Sequence, residues 1–348
     1  MAVGDSRTLT RVVLLWSGIG VLLIAAFVAA LGAVQRAYYS PTGFVSAFAT
    51  SVAAHRLPEA LAMPGAAPTS SALRAAGLSA AASRELLRAD ILPDIRDVTV
   101  ASDTEGRDHV HTVVVTATAD GRPVTASFRV RQSGSVLGML PTWEFASTPV
   151  GVSRITVAHA DDFRVGRHTV SPRAASPDQP AGAFSVSADY VVMPLAPLEL
   201  SHASKYLRAA PVATSPAPGV VTETVVDAQP THAFTADVQK QVNAFLDQCA
   251  AQKVLQPAGC PFGVEIDDRV QGDPSWSMVS YPTVELRPGD DAWETGQMVG
   301  VAHIDVTVQS LFDGTVTTRS DDVRFSMELS RVTIRPDGSL AIVVAQEP

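Results

Sequence analysis

Two cysteines carry the most definite chemistry in this chain. Cys249 and Cys260 are the only ones in 348 residues. Their spacing is not that of a C-x-x-C redox pair, and two thiolates alone do not complete a tetrahedral zinc site. Cys249 falls on the apolar face of a helical pattern, and Pro257, Gly259 and Pro261 bend the chain back toward it. The pattern fits a disulfide where the segment faces an oxidising compartment, and two buried free thiols where it does not. A bond closing so short a loop stabilises a domain by about 3 kcal/mol in the chain-entropy model.

The remaining reactive side chains form weaker patterns. His109 and His111 stand two apart on a strand pattern, so they share a face. That is half a metal site, and more commonly a solvated strand edge. Asp267-Asp268, Asp290-Asp291 and Asp321-Asp322 lack the alternating D-x-D-x-D-G loop that wraps Ca²⁺ and read as surface turns. No metal ligand and no cofactor is expected. There is no G-x-S-x-G, H-E-x-x-H, P-loop or G-x-G-x-x-G, so no catalytic residue is assigned. A Ser, His and Asp set assembled from distant positions is left open. Trp276, Tyr281 and Trp293 cluster with Pro282 and Pro288. They are a candidate ligand or partner surface lining an open mouth, or else packing for the helix that ends at Cys249.

These groups are positioned by a chain organised around one stretch, Val12 to Val34, which contains no charged residue. As a helix it spans roughly 35 Å, enough for a hydrocarbon core of about 30 Å. It is longer than a signal-peptide apolar region, and Leu31-Gly32-Ala33 is a poor cleavage match, so an uncleaved anchor is expected. Residues 1–11 form a short tail. Arg7 and Arg11 precede the span and Arg36 alone follows closely, which places the N-terminus in the cytoplasm and the bulk outside. Ala25 with Ala29, and Ala26 with Ala30, offer small residues for self-association of the span, although lipid-facing packing explains them too. A formal net charge of −9 argues against nucleic acid and against a purely electrostatic hold on anionic lipid or wall polymer.

Beyond the span the pattern predicts an α+β class. Ser40-Pro41 caps a helix to about His55, with Phe44, Phe48 and Val52 on one face. An Ala/Pro-rich stretch follows, then a second helical pattern over Ser79–Asp90 with Leu86 and Leu87. After Pro93 the period becomes 2, and Asp120-Gly121 signals a hairpin between Val110–Thr116 and Val124–Val130. Residues 41–148 thus form one helix-plus-antiparallel-sheet module. Residues 151–228 read as a small all-β module and linker. Strand pieces lie at Ile155–Ala158, Phe184–Val192 and Val220–Val226, with loops at Ser171–Ala183 and Ala209–Gly219. Thr235 is expected to cap a helix carrying Val238, Val242, Phe245, Leu246 and Cys249 on one face, and a second meander completes a C-terminal α+β module over 234–346.

This plan resembles a group of actinobacterial single-pass membrane proteins with extracytoplasmic modules similar to the cone-shaped nuclear transport factor 2-like fold. More distantly it resembles the teicoplanin-resistance-associated TcaA architecture. Three stretches carry the resemblance. They are Ser40-Pro41 with Pro-Glu-Ala-Leu-Ala-Met-Pro-Gly at 58–65, the hairpin Val110–Val130, and Phe245-Leu246-Asp247-Gln248-Cys249 followed by Gly259-Cys260-Pro261-Phe262-Gly263. The last is the most specific. The zinc ribbon that usually opens TcaA-like chains is absent, since no Cys precedes Cys249. The resemblance implies a non-enzymatic envelope protein that binds a protein partner or wall component. Alternatives are a component or assembly factor of a secretion or conjugation machine, and an envelope hydrolase.

Overall fold

The computed structural model describes residues 6–136, 140–180 and 182–345. Residues 1–5 of the expected tail and Gln346, the last residue of the expected C-terminal module, lie outside them. The chain opens with α1 (Ser6–Tyr38). Its apolar window Val12–Ala29 is wholly unburied, and among the described residues it is the one helix long and apolar enough to cross a membrane. Ser40 then restarts the chain. Its hydroxyl accepts from the Gly43 N–H at 3.0 Å, and Pro41 takes the first turn of α2 (Pro41–Ala53). Val45, Phe48, Ala49 and Val52 are buried at helical spacing, with Phe44 half-buried beside them. The Ala/Pro-rich stretch forms two short helices, α3 (Leu57–Ala62) and α4 (Ser70–Ala75).

The helix expected over Ser79–Asp90 does not form. Ser83 instead bonds sideways to a strand, its N–H to the Asp189 carbonyl and its carbonyl to the Val191 N–H, both at 2.8 Å. Leu86 and Leu87 then enter two different cores. A turn closed by the Leu87 N–H on the Arg84 carbonyl at 2.9 Å separates the two side chains. The sheet that follows has order β1-β2-β3-β4, from β1 (Ile95–Glu105), β2 (Val110–Ala119), β3 (Arg122–Val136) and β4 (Leu140–Phe145). Asp120 (φ 47°) and Gly121 (φ 76°) are both left-handed, and Ala119 pairs with Arg122, as a two-residue type I′ hairpin requires. Phe48 of α2 packs edge-on against Phe145 and Phe128, at 4.9 and 5.5 Å between ring centres. Trp143 Nε1 donates to the Tyr39 carbonyl at 3.0 Å and ties the α1–α2 junction to this sheet.

Residues 151–230 build two further sheets. Their elements are β5 (Gly151–Ala158), β6 (Phe163–Val165), β7 (His168–Val170), the single-turn α5 (Pro172–Ala175), β8 (Ser185–Val192), β9 (Leu198–Ala203), β10 (Leu207–Thr214), β11 (Val221–Asp227) and β12 (Gln229–Pro230). One sheet runs β11-β5-β8, with β5 and β11 parallel, and the other β12-β10-β9-β6-β7. The first half of the expected loop Ala209–Gly219 is therefore strand. Ile155, Phe163, Tyr190 and Leu200 are fully buried in one cluster between the sheets. Buried Ser153 bonds Thr214 (2.8 Å) and Thr224 (3.2 Å), so these three hydroxyls satisfy one another, while the buried Tyr190 hydroxyl has no partner among the described residues.

The last core lies under α6 (His232–Ala250). Thr231, not Thr235, is the cap, accepting from the Phe234 N–H at 3.3 Å. Phe234, Val238, Val242, Leu246 and Cys249 form the buried face. Around it stand β13 (Arg269–Ser280), β14 (Leu286–Pro288), β15 (Trp293–Thr295), β16 (Met298–Gln309), β17 (Val316–Met327), β18 (Leu329–Ile334) and β19 (Leu340–Val344). They form sheets β13-β16-β17 and β14-β15-β18-β19. The molecule is thus α+β, with one N-terminal apolar helix and several largely antiparallel sheets.

Candidate functional site

The two cysteines are joined. Cys249 in the last turn of α6 bonds Cys260, with Cα atoms 5.8 Å apart. Gln252 braces the loop, its Oε1 accepting from the Ala258 N–H at 2.9 Å. Beside the bond lies a groove of about 630 Å³, with Phe245, Cys260, Pro261, Met327, Glu328 and Val344 among its lining.

The expected aromatic surface is not assembled. Trp293 is 2% and Trp276 6% exposed. Trp276 donates to the Val254 carbonyl at 2.8 Å and stacks near Phe262, while Trp293 meets Phe184, Phe234 and His159. Only Tyr281 is open. Its hydroxyl donates to Asp247, and that bond, with some burial, pushes the phenol pKa up. Aromatic composition located a cluster, and burial turned it into core.

His109 and His111 do not share a strand face either. His109 sits in the turn before β2 and pairs with Glu105 (2.7 Å), while His111 pairs with Asp103 (2.8 Å). Among the described residues no three His, Cys, Asp or Glu side chains group as metal ligands. The three Asp pairs are spent separately: Asp268 on the Leu311 N–H, Asp291 on Arg331, Asp321 on Arg319 and Asp322 on His303.

The most organised polar group went unassigned in the sequence. It lies on the outward face of the β16–β17 hairpin, where His303 pairs with Asp322 and Asp305 with Ser320 in the register. His303 Nδ1 is 2.7 Å from Asp322 Oδ1, and its Nε2 is 3.0 Å from Ser320 Oγ. Carboxylate, imidazole and hydroxyl thus follow one another in the order of a hydrolase triad. A second carboxylate sets it apart from a triad: Asp305 lies 3.5 Å from His303 Nε2, so the ring stands between two acids. The Asp322 hydrogen bond, aided by Asp305, raises the imidazole pKa. A nucleophilic serine needs a neutral imidazole with a free Nε2 lone pair. This arrangement favours the opposite state, an imidazolium donating from both nitrogens. It is an exposed charge cluster suited to contact with polar or charged groups. Alternation within each strand is visible in the sequence. The cross-strand register that joins the four residues depends on the hairpin.

That hairpin also carries the most exposed apolar side chains described beyond α1. Leu311 is 73% and Phe312 99% exposed at its tip. Searches with protein-family models, among curated proteins and among solved structures gave no match to this chain.

Proposed function

We propose that the chain is a membrane-anchored cell-envelope protein of non-enzymatic binding or scaffolding type. In this reading α1 crosses the lipid bilayer, the N-terminus is cytoplasmic and the bulk is extracytoplasmic. Two helix-on-sheet, cone-like modules flank a small β module and engage a protein or wall component. The carrying observation is the unburied apolar window Val12–Ala29, which no packing within the chain uses. A Cys249–Cys260 disulfide agrees with an oxidising compartment. The two carboxylates beside His303 favour its protonated ring over the neutral base that a serine nucleophile needs, which supports a non-enzymatic role.

A second reading, a component or assembly factor of a secretion or conjugation machine, draws on the exposed Leu311-Phe312 tip, since such a component must offer contacts to other proteins. The hydrolase reading has only the Ser320 cluster behind it. The test is alkaline extraction of membranes, followed by protease added to intact cells. The reading expects the chain to stay in the membrane fraction and its bulk to be degraded from outside. Release by alkali, or survival of the bulk until lysis, overturns it.

A further inference from the structure

The tip of the β16–β17 hairpin is built rather than loose. Ser310 Oγ accepts from the N–H groups of Phe312 (3.2 Å) and Asp313 (3.4 Å), and the Ser310 N–H donates to the Thr315 carbonyl at 2.9 Å. Gly314, at φ 76°, returns its N–H to the Ser310 carbonyl at 3.1 Å. Asp313 Oδ1 accepts from the Thr315 N–H (3.0 Å), and Asp268 Oδ1 accepts from the Leu311 N–H (3.2 Å). With its backbone thus committed, the turn holds Leu311 and Phe312 out in solvent, and Val316 below them is 56% exposed. A preorganised aromatic knob loses little conformational freedom on docking, which favours it as an anchor.

The collar of the knob is acidic. Asp268 and Asp313 bond backbone N–H groups at the tip, and exposed Asp267 and Arg269 flank Asp268 along the chain. The charge around the knob selects its occupant. An anionic bilayer surface repels this collar, and a second copy presents the same acidic surface on a chain of net charge −9. We infer that Leu311-Phe312 inserts into an apolar pocket on a protein partner whose rim carries Lys or Arg side chains facing Asp268 and Asp313. This inference rests on the binding reading above and names the chemistry of its partner.

The test places a photoreactive amino acid at position 312 of the full chain in native membranes. The expected result is one adduct to another protein, mapping beside Lys or Arg in that partner. Its yield should fall several-fold in Asp268→Asn/Asp313→Asn, which keeps both Oδ1 acceptors and removes the charges, and be unchanged in the remote Asp290→Asn. An adduct that ignores the collar charges, a lipid adduct, an adduct of twice the chain mass, or no adduct overturns the inference. Leu311→Ser/Phe312→Ser removes no core contact, so it should keep the wild-type melting curve while losing the partner. A partner that still co-purifies with that variant refutes the tip and leaves the binding reading standing. Absence of any partner from both wild type and variant refutes both.

Discussion

Reducing the Cys249–Cys260 bond should destabilise the α6 core by about 2.8 kcal/mol. The bond closes a loop with a sequence separation of 11. The chain-entropy relation for that length gives about 9 cal/mol/K, hence about 2.8 kcal/mol at 25 °C. The folded loop has other ties: the Gln252–Ala258 bond, the Trp276 bond to Val254, and Phe262 packed 5.0 Å from Trp276 and 5.3 Å from Phe325. These survive reduction, so the loss falls on the unfolded state. The assay is urea unfolding of the detergent-solubilised full chain followed by tryptophan fluorescence. Trp276 and Trp293 lie in this core, while Trp143 packs against another. A Trp16→Phe/Trp143→Phe background isolates the α6 signal. With a slope of about 1.5–2 kcal/mol per molar urea, the midpoint should fall by about 1.4–1.9 M on reduction. A fall below about 0.5 M refutes the reasoning. So does an equal fall reported by Trp143 alone in a Trp16→Phe/Trp276→Phe/Trp293→Phe background.

Three further outcomes are expected. Gly65→Ala should cost at least about 2 kcal/mol in chemical denaturation, because Gly65 is left-handed (φ 76°) and a Cβ there would meet the Phe145 carbonyl oxygen at 2.7 Å. Trp293→Ala should cost about 3–5 kcal/mol and loosen the α6 core, since a nearly fully buried indole leaves a cavity bordered by Phe184 and Phe234. The buried His202 has its pKa raised by its hydrogen bond to Asp162. A raised folded value means a stabilisation fully present below about pH 6.5 and lost as pH rises through the folded value. Denaturation midpoints should therefore be higher at pH 5.5 than at pH 8.5, with a smaller difference in His202→Gln. The half-buried His303, shifted the same way, leaves a residual slope.

Much of the local structure was legible because its causes are local. Asp120-Gly121 predicts a type I′ turn from two residues that tolerate positive φ, and the turn sets the β2–β3 register. The α6 face follows from the spacing of Val238, Val242, Leu246 and Cys249, and its cap was misplaced by four residues because Thr231 and Thr235 are chemically equal candidates. The short strands β14 and β15 are not legible in the sequence, since three residues carry too little period.

The apolar α1, the α+β class and the two cysteines within reach of each other are properties of composition or of near neighbours, and so are legible along the chain. The rest depends on contacts between distant segments. Ser83 left a helical pattern because a distant strand offered its backbone two hydrogen bonds. Trp276 and Trp293 went to core because α6 and the flanking sheets closed over them. His303, Asp305, Ser320 and Asp322 became one cluster because the β16–β17 register set them opposite each other. Burial and cross-strand register depend on which distant segments meet, and spacing along the chain does not encode that meeting.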